Sequence, residues 1–434
     1  MSRAATPAPT WRTRLGPGHS AMRDDPVWWV RVPVRTRAAG ARAIPGVRWF
    51  VAGPQHRRVI MPVPPRNCKT AGACVRGRAA APRYRSHLDP SRASTYVCAP
   101  FRLLAPIRDD MIVSHSIPDC TAIARAQDAR LHQLRALTDL KPGDLYEGED
   151  GGLYGQGRNQ PPREHFEAAM ARAARVQPLD ALGVPDTHGL VGLLAVGFSN
   201  TFLEFREFVS LMRREPRLSA AMRPVNGAQF HADSAAWAGR ESPDASGGES
   251  PWHGLEERLA QSGVSALQIQ TAWIKLTPRE PSTLGGFPAH ADRTASDLRI
   301  VSQRLMRRFP NLRLTFLSSR AFGGYAVTRL SPEPYAYESA FALRSLILEQ
   351  IRGSESLNFD CAKGPVRSPL LLWGPYLWAS GAAGRERDDL VWMRDDFGDD
   401  GTHPSTAGAR KVAHQLMTFM TTDPAATPWF LAHG

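Results

Sequence analysis

The chain has 434 residues, 42% of them apolar, with 54 Lys and Arg against 41 Asp and Glu and a formal net charge of +13. The excess is local: residues 1–110 hold 20 basic and 5 acidic residues, and the remainder holds 34 and 36. A body so nearly neutral can bury a sizeable core as one domain or two, and its charge argues against nucleic acid as the partner of the folded part.

Residues 1–110 are rich in Arg, Pro, Ala and Gly and keep no helical or strand period. They read as a disordered leader, or as translation upstream of a later start such as Met111. A basic arm for nucleic acid or an anionic membrane is the alternative, against which stands the lack of aromatic-basic repeats. Trp28-Trp29-Val30 and Val59-Ile60-Met61 are too short to span a bilayer. No basic, apolar and cleavage regions follow in order from Met1. The five cysteines, Cys68, Cys74, Cys98, Cys120 and Cys361, are odd in number and widely spaced. That suits neither a disulfide framework nor a zinc site. The expectation is no metal, no cofactor and, by default, the cytoplasm.

Residues 111–188 read as an entry region. Within it Gly148 to Gly157 looks like a phosphate loop, but it lacks the Gly-Lys-Ser/Thr ending and no apolar strand precedes it. It is expected to be a loop packed near the site. Apolar runs then alternate with amphipathic stretches. Gly189–Val196 reads as a buried strand and Phe202–Arg213 as a helix with Phe202, Phe205, Phe208 and Val209 on one face. Arg223–Ala228 is a short strand-to-loop element, residues 240–251 a surface loop, and Glu256–Gln261 part of a short helix. Ala266–Lys275 is a strand and Ala291–Arg308 a helix, with Leu298, Val301, Leu305 and Phe309 at helical spacing. Strand Leu312–Leu317, helix Tyr337–Ile351, strand Pro369–Trp373 and helix Ser405–Met420 complete the chain. Apolar strands alternating with helices predict a parallel sheet covered on both faces.

In such a sheet, sites form outside the C-terminal ends of the strands. Ser199 falls at one, after Gly197-Phe198 and before a helix whose first N–H groups are free. Asp400 stands three residues before His403 in the turn Asp400-Gly401-Thr402-His403-Pro404-Ser405. Singly these residues read as a helix cap and an ordinary turn. Together, serine early and Asp with His late, they read as a nucleophile, its base and the group that fixes the base's tautomer.

This pattern resembles the SGNH (GDSL-type) hydrolase superfamily over about residues 189–420, as a divergent member of a bacterial branch. Gly197-Phe198-Ser199 stands where the family has its first block, with Phe198 in place of the usual Asp. Asn226-Gly227-Ala228-Gln229 looks like the second block, and Asp400-Gly401-Thr402-His403 fits the fifth. The resemblance implies a three-layer α/β/α sandwich and ester hydrolysis, with backbone N–H groups of Ser199 and Gly227 holding the oxyanion. The third block departs from the pattern. After strand 267–273 the chain gives Lys275-Leu276 and no Gly-x-Asn-Asp, so the amide donor is missing. Lys275 or Asn200 is the expected replacement, and a lysine reaching out to solvent is the alternative for Lys275.

Ser318 to Tyr325 follows a strand and Pro332 to Glu338 leads into a helix, so Arg320, Tyr325, Glu333 and Tyr335 are candidates for a polar, aromatic-walled pocket suited to a glycan or another small-molecule ester. The alternative is a loop whose charges pair with one another. Trp373 to Trp378 ends the last strand, as a pocket wall or as core. The sequence leaves two functional readings: an esterase, or a weak or inactive relative that binds a carbohydrate or another polar ligand. It does not fix the oligomeric state.

Overall fold

The computed structural model describes residues 134–240 and 250–432. The leader 1–110, most of the loop 240–251, and Cys68, Cys74, Cys98 and Cys120 lie outside the described residues; Cys361 is exposed and free.

The sheet grows from short, mainly apolar runs. β1 (Val191–Gly197) and β3 (Ile269–Lys275) are buried at every position, as strands covered on both faces must be. β2 (Met222–Asn226), β4 (Leu314–Leu317) and β5 (Leu370–Trp373) complete a five-stranded sheet of order β2-β1-β3-β4-β5, parallel at each pairing. The chain moves outward from β1 to β2, then returns past β1 to β3. The crevice of a doubly wound sheet opens where that direction reverses, above the C-terminal ends of β1 and β3.

The helices divide into two layers. On one face lie α3 (Ser234–Ala238), α4 (Pro251–Ser262), α5 (Ala289–Arg308) and α6 (Tyr335–Ile351), packed with Leu194, Val196, Ala272, Ile274 and Leu371 of the strands. On the other lie α1 (Arg163–Ala173), α2 (Ser199–Met212), α7 (Thr406–Thr422) and α8 (Thr427–Phe430), against Leu193, Ala195, Trp273, Phe316 and Leu372. Neighbouring strand residues thus serve opposite cores, as the two-residue period of a strand requires. This is the three-layer α/β/α arrangement expected from the sequence.

α5 illustrates how the layers are held. Leu298, Val301 and Leu305 form one stripe, each at most 1% exposed, and burial of such side chains contributes roughly 1.5–3 kcal/mol apiece. Asp292 in its first turn and Arg307 and Arg308 in its last oppose the helix dipole. α7 begins at Ser405, whose hydroxyl accepts from Gly408 N.

The sequence boundaries shift where local chemistry intervenes. A 3-10 turn over Ala266–Gln268 precedes β3, because Ser265 and Gln268 cap one another. α1 falls inside the supposed entry region, and its buried face is small, with Ala169 and Ala173. The core also extends beyond 189–420: Leu137, Leu153 and Tyr154 at one end, and Trp429 and Phe430 at the other, are buried. Segment 148–157 is a loop, but its contacts lie with α6 and β5. Arg344 donates to the carbonyls of Asp150 and Gly152, and Trp373 Nε1 to that of Leu153 at 2.7 Å. Among the described residues no helix is long and apolar enough to cross a membrane.

Candidate active site

Ser199 is the first residue of α2, and glycine is what allows it to sit there. A Cβ on Gly197 would lie 2.2 Å from Thr201 Oγ1 and 2.6 Å from the Lys275 carbonyl oxygen. Phe198 is extended (φ −122°, ψ −152°), so the chain turns from strand to helix within one residue. Thr201 Oγ1 donates to Lys275 O at 2.7 Å and ties the start of α2 to β3. The backbone N–H groups of Ser199, Asn200 and Thr201 find no partner among the described residues, as expected of a first helical turn.

The second component is the turn before α7. Gly401 has φ +64°, and a Cβ there would lie 1.7 Å from the carbonyl oxygen of Tyr325, so conformation and space both demand glycine. Asp400 Oδ1 accepts from the backbone N–H of Thr402 (3.0 Å) and His403 (2.9 Å), and Oδ2 lies 2.5 Å from His403 Nδ1. Burial acts to raise the pKa of Asp400, but these N–H bonds and the imidazole outweigh it and hold the carboxyl below its ordinary value. An ionised Asp400 assigns the ring proton to Nδ1 and leaves Nε2 as the acceptor. Nε2 lies 2.8 Å from Ser199 Oγ, bringing together residues 204 apart in sequence.

Asn200 joins the two components. Its Nδ2 donates to the Thr402 carbonyl at 2.9 Å, so its side chain braces the Asp400–His403 turn. The expectation that this side chain replaces the missing asparagine donor meets an amide with one N–H already engaged by Thr402. Thr402 Oγ1 donates to Leu330 O, and Val327 N to Asp400 O, so loop 318–334 holds the turn from its other side.

Lys275 neither reaches solvent nor is left unpaired. Its Nζ lies 2.5 Å from Glu204 Oε1 on α2, and both side chains are 2% exposed. Burial drives the Lys275 pKa down and the Glu204 pKa up, and each opposes the other's shift. The ammonium expected at the oxyanion is therefore held by a carboxylate. Gly227 adjoins β1 so closely that a Cβ would lie 2.8 Å from Ala195 O. Its N–H is bonded to Val225 O at 3.1 Å.

The four candidate pocket residues each have contacts of their own. Arg320 stacks its guanidinium over the Phe198 ring, 5.3 Å from the centroid. The Tyr325 hydroxyl donates to Trp392 O at 3.0 Å. Glu333 accepts from Gly323 N, Tyr337 N and Trp378 Nε1 at 2.7–2.9 Å, so its carboxylate pins the loop. Burial nonetheless pushes its pKa up to about 7, against those bonds. Tyr335 packs edge-on against His290, which is bonded to Glu338. Trp373 and Tyr376 line a cavity of about 500 Å³ with Leu153, Tyr154 and Arg385, and neither Ser199 nor His403 is part of its wall. Among the described residues no cluster of His, Cys, Asp or Glu is placed to hold a metal.

Sequence reasoning missed Glu204. A lysine ending a fully buried strand calls for a buried carboxylate, but nothing local names one 71 positions away.

No protein-family model and no curated protein matches this sequence. Solved structures match at low identity. A protein assigned as an acylhydrolase from Bacteroides fragilis is 10% identical, over 60% of this chain and 96% of that one, with a TM-score of 0.31. An acetyl xylan esterase is 14% identical, over 52% and 98%, with a TM-score of 0.29. An extracellular lipase from Streptomyces rimosus is 12% identical, over 52% and 99%, with a TM-score of 0.25. The fold class rests on the strand order and the two helical layers described above.

Proposed function

We propose that this protein is a serine hydrolase of the SGNH type that cleaves a carboxylic ester, an acyl or acetyl ester on a carbohydrate or another small molecule. Ser199 Oγ adds to the ester carbonyl while its proton passes to His403 Nε2. The carbonyl π pair moves onto oxygen, and the free N–H groups at the start of α2 face the resulting charge. Collapse of the adduct expels the alkoxide, which takes the proton from His403 and leaves an acyl-Ser199. Water repeats the sequence with His403 as base, releasing the acid and restoring the serine. Asp400 stays ionised, holds Nδ1–H and stabilises the imidazolium.

The observation that carries this reading is the bonded chain from Ser199 Oγ through His403 to Asp400. A helix-cap serine needs no imidazole, and a turn aspartate needs no serine. The second reading, a weak or inactive relative that binds a polar ligand, is favoured by the engaged Lys275 ammonium and Gly227 N–H.

The two separate on Ser199→Ala. The esterase reading expects hydrolysis of short p-nitrophenyl esters to vanish while the thermal unfolding transition stays nearly unchanged. A variant that keeps the wild-type rate removes Ser199 from the chemistry.

A further inference from the structure

Arg320 follows β4, yet its guanidinium lies over Phe198, which follows β1. β3 lies between those strands in the sheet, so the side chain crosses the C-terminal end of β3. That is the place from which the absent third-block asparagine would have reached the reacting carbonyl. Arg320 is 5% exposed. Its side chain makes no hydrogen bond or ion pair with any described residue, and Nη1 is wholly enclosed without a partner. Glu204, Glu333 and Asp400 act on it through space alone. Enclosed donors without acceptors are costly, and a guanidinium offers five of them in a fixed fork.

The surrounding charges indicate what fits. Arg320 lies near the carboxylates of Glu204, Glu333 and Asp400, and Lys275 near that of Glu204. These carboxylates leave no excess positive charge that would call for a resident anion, so the unpartnered donor at Nη1 suits a charge that appears only during reaction.

Building on the serine-hydrolase reading, we infer that Arg320 donates to the oxyanion created when Ser199 attacks the ester carbonyl, in place of the missing asparagine amide. The carbonyl π pair becomes the oxyanion lone pair, Arg320 keeps its proton throughout, and the donation is strongest when that charge is greatest. Thr277 Oγ1, two residues beyond Lys275, is the other buried hydrogen-bond donor without a partner at this edge, and it is the competing candidate.

The test uses the whole chain with Arg320→Lys, Arg320→Gln, Arg320→Ala, Thr277→Val and Ser199→Ala. Three quantities are measured: kcat and KM for p-nitrophenyl acetate, and the rate of phosphonylation by a fluorophosphonate. Arg320→Gln and Arg320→Ala are expected to lower kcat and the labelling rate about 10²–10³-fold, with KM within a few-fold of wild type. Arg320→Lys loses less, and added guanidinium ion restores part of the Arg320→Ala rate, which repair of a purely structural fault would not do. Should Arg320→Ala fail to fold, the Lys and Gln variants carry the comparison. The inference is overturned if the Arg320 variants keep wild-type kcat, if only KM rises, or if Thr277→Val takes the loss instead. If Ser199→Ala keeps its rate, the hydrolase reading itself fails, and that outcome is distinct from the others.

Discussion

In the turn before α7, Asp400, Thr402 and His403 have every polar side-chain atom partnered; where β3 and β4 end, Thr277 Oγ1, Arg320 Nη1 and Glu204 Oε2 have no partner and Lys275 is spent on Glu204. The first region is finished without a ligand. Its bonds fix the imidazole's tautomer and orientation, which is what the proposed role as a base asks for. The second holds the loose ends, where a reacting carbonyl would find unsatisfied donors. On the hydrolase reading proposed above, the difference would keep proton transfer on the partnered turn and leave polar capacity free on the side that meets developing charge.

The largest effect expected from breaking the finished region is in His403→Ala. It should lower kcat by roughly three or more powers of ten if serine and imidazole act as a unit. Asp400→Asn should cost less than His403→Ala, because Nε2 and Ser199 remain in place. Steady-state ester hydrolysis ranks the two, and the reverse order would show that Asp400 does more than orient the ring.

Stability should respond most in the other region. Lys275→Met leaves the Glu204 carboxylate buried alone and should destabilise by about 3–5 kcal/mol. The double change Lys275→Met with Glu204→Gln should recover much of that loss. Urea unfolding of the single and double variants measures it. Additive losses would mean that the two groups do not rely on one another.

How much of this was legible in sequence follows the same division. Asp400, Gly401 and His403 lie in one turn, so spacing alone suggested their chemistry. Ser199 announced itself through Gly197 and the apolar run before it. The strands were legible because burial on both faces leaves long apolar stretches. The Glu204–Lys275 pair was not, since a contact across two elements leaves no local period. The bond from Asn200 to the Thr402 carbonyl, 202 residues away, left no local signal either. α1 escaped because alanines make a faint stripe. Segment 148–157 is the loop that its glycines suggested, and its contacts with Arg344 and Trp373, distant in sequence, left no local signal. Gly152 has φ +87° and packs against Arg158 N, so its freedom serves a tight turn rather than a ligand.

A subtler effect concerns Glu333, which ties loop 318–334 together through Gly323 and joins it to Tyr337 and Trp378. Its folded-state pKa of about 7 lies above the usual carboxylate value. Between roughly pH 4.5 and 7 the native state therefore binds more protons than the unfolded chain, and stability from this group falls as pH rises through that window. Glu333→Gln should flatten that part of the stability–pH curve. Denaturant unfolding at several pH values measures the slope, and an unchanged slope would assign it to another group.

The central claim is that Ser199 is a nucleophile activated by His403, and covalent labelling tests it most directly. The wild-type protein is treated with a fluorophosphonate and the modified peptide is mapped by mass spectrometry. One adduct on Ser199 is predicted, absent from Ser199→Ala and formed far more slowly in His403→Ala. No adduct, an adduct elsewhere, or a rate indifferent to His403 would contradict the account.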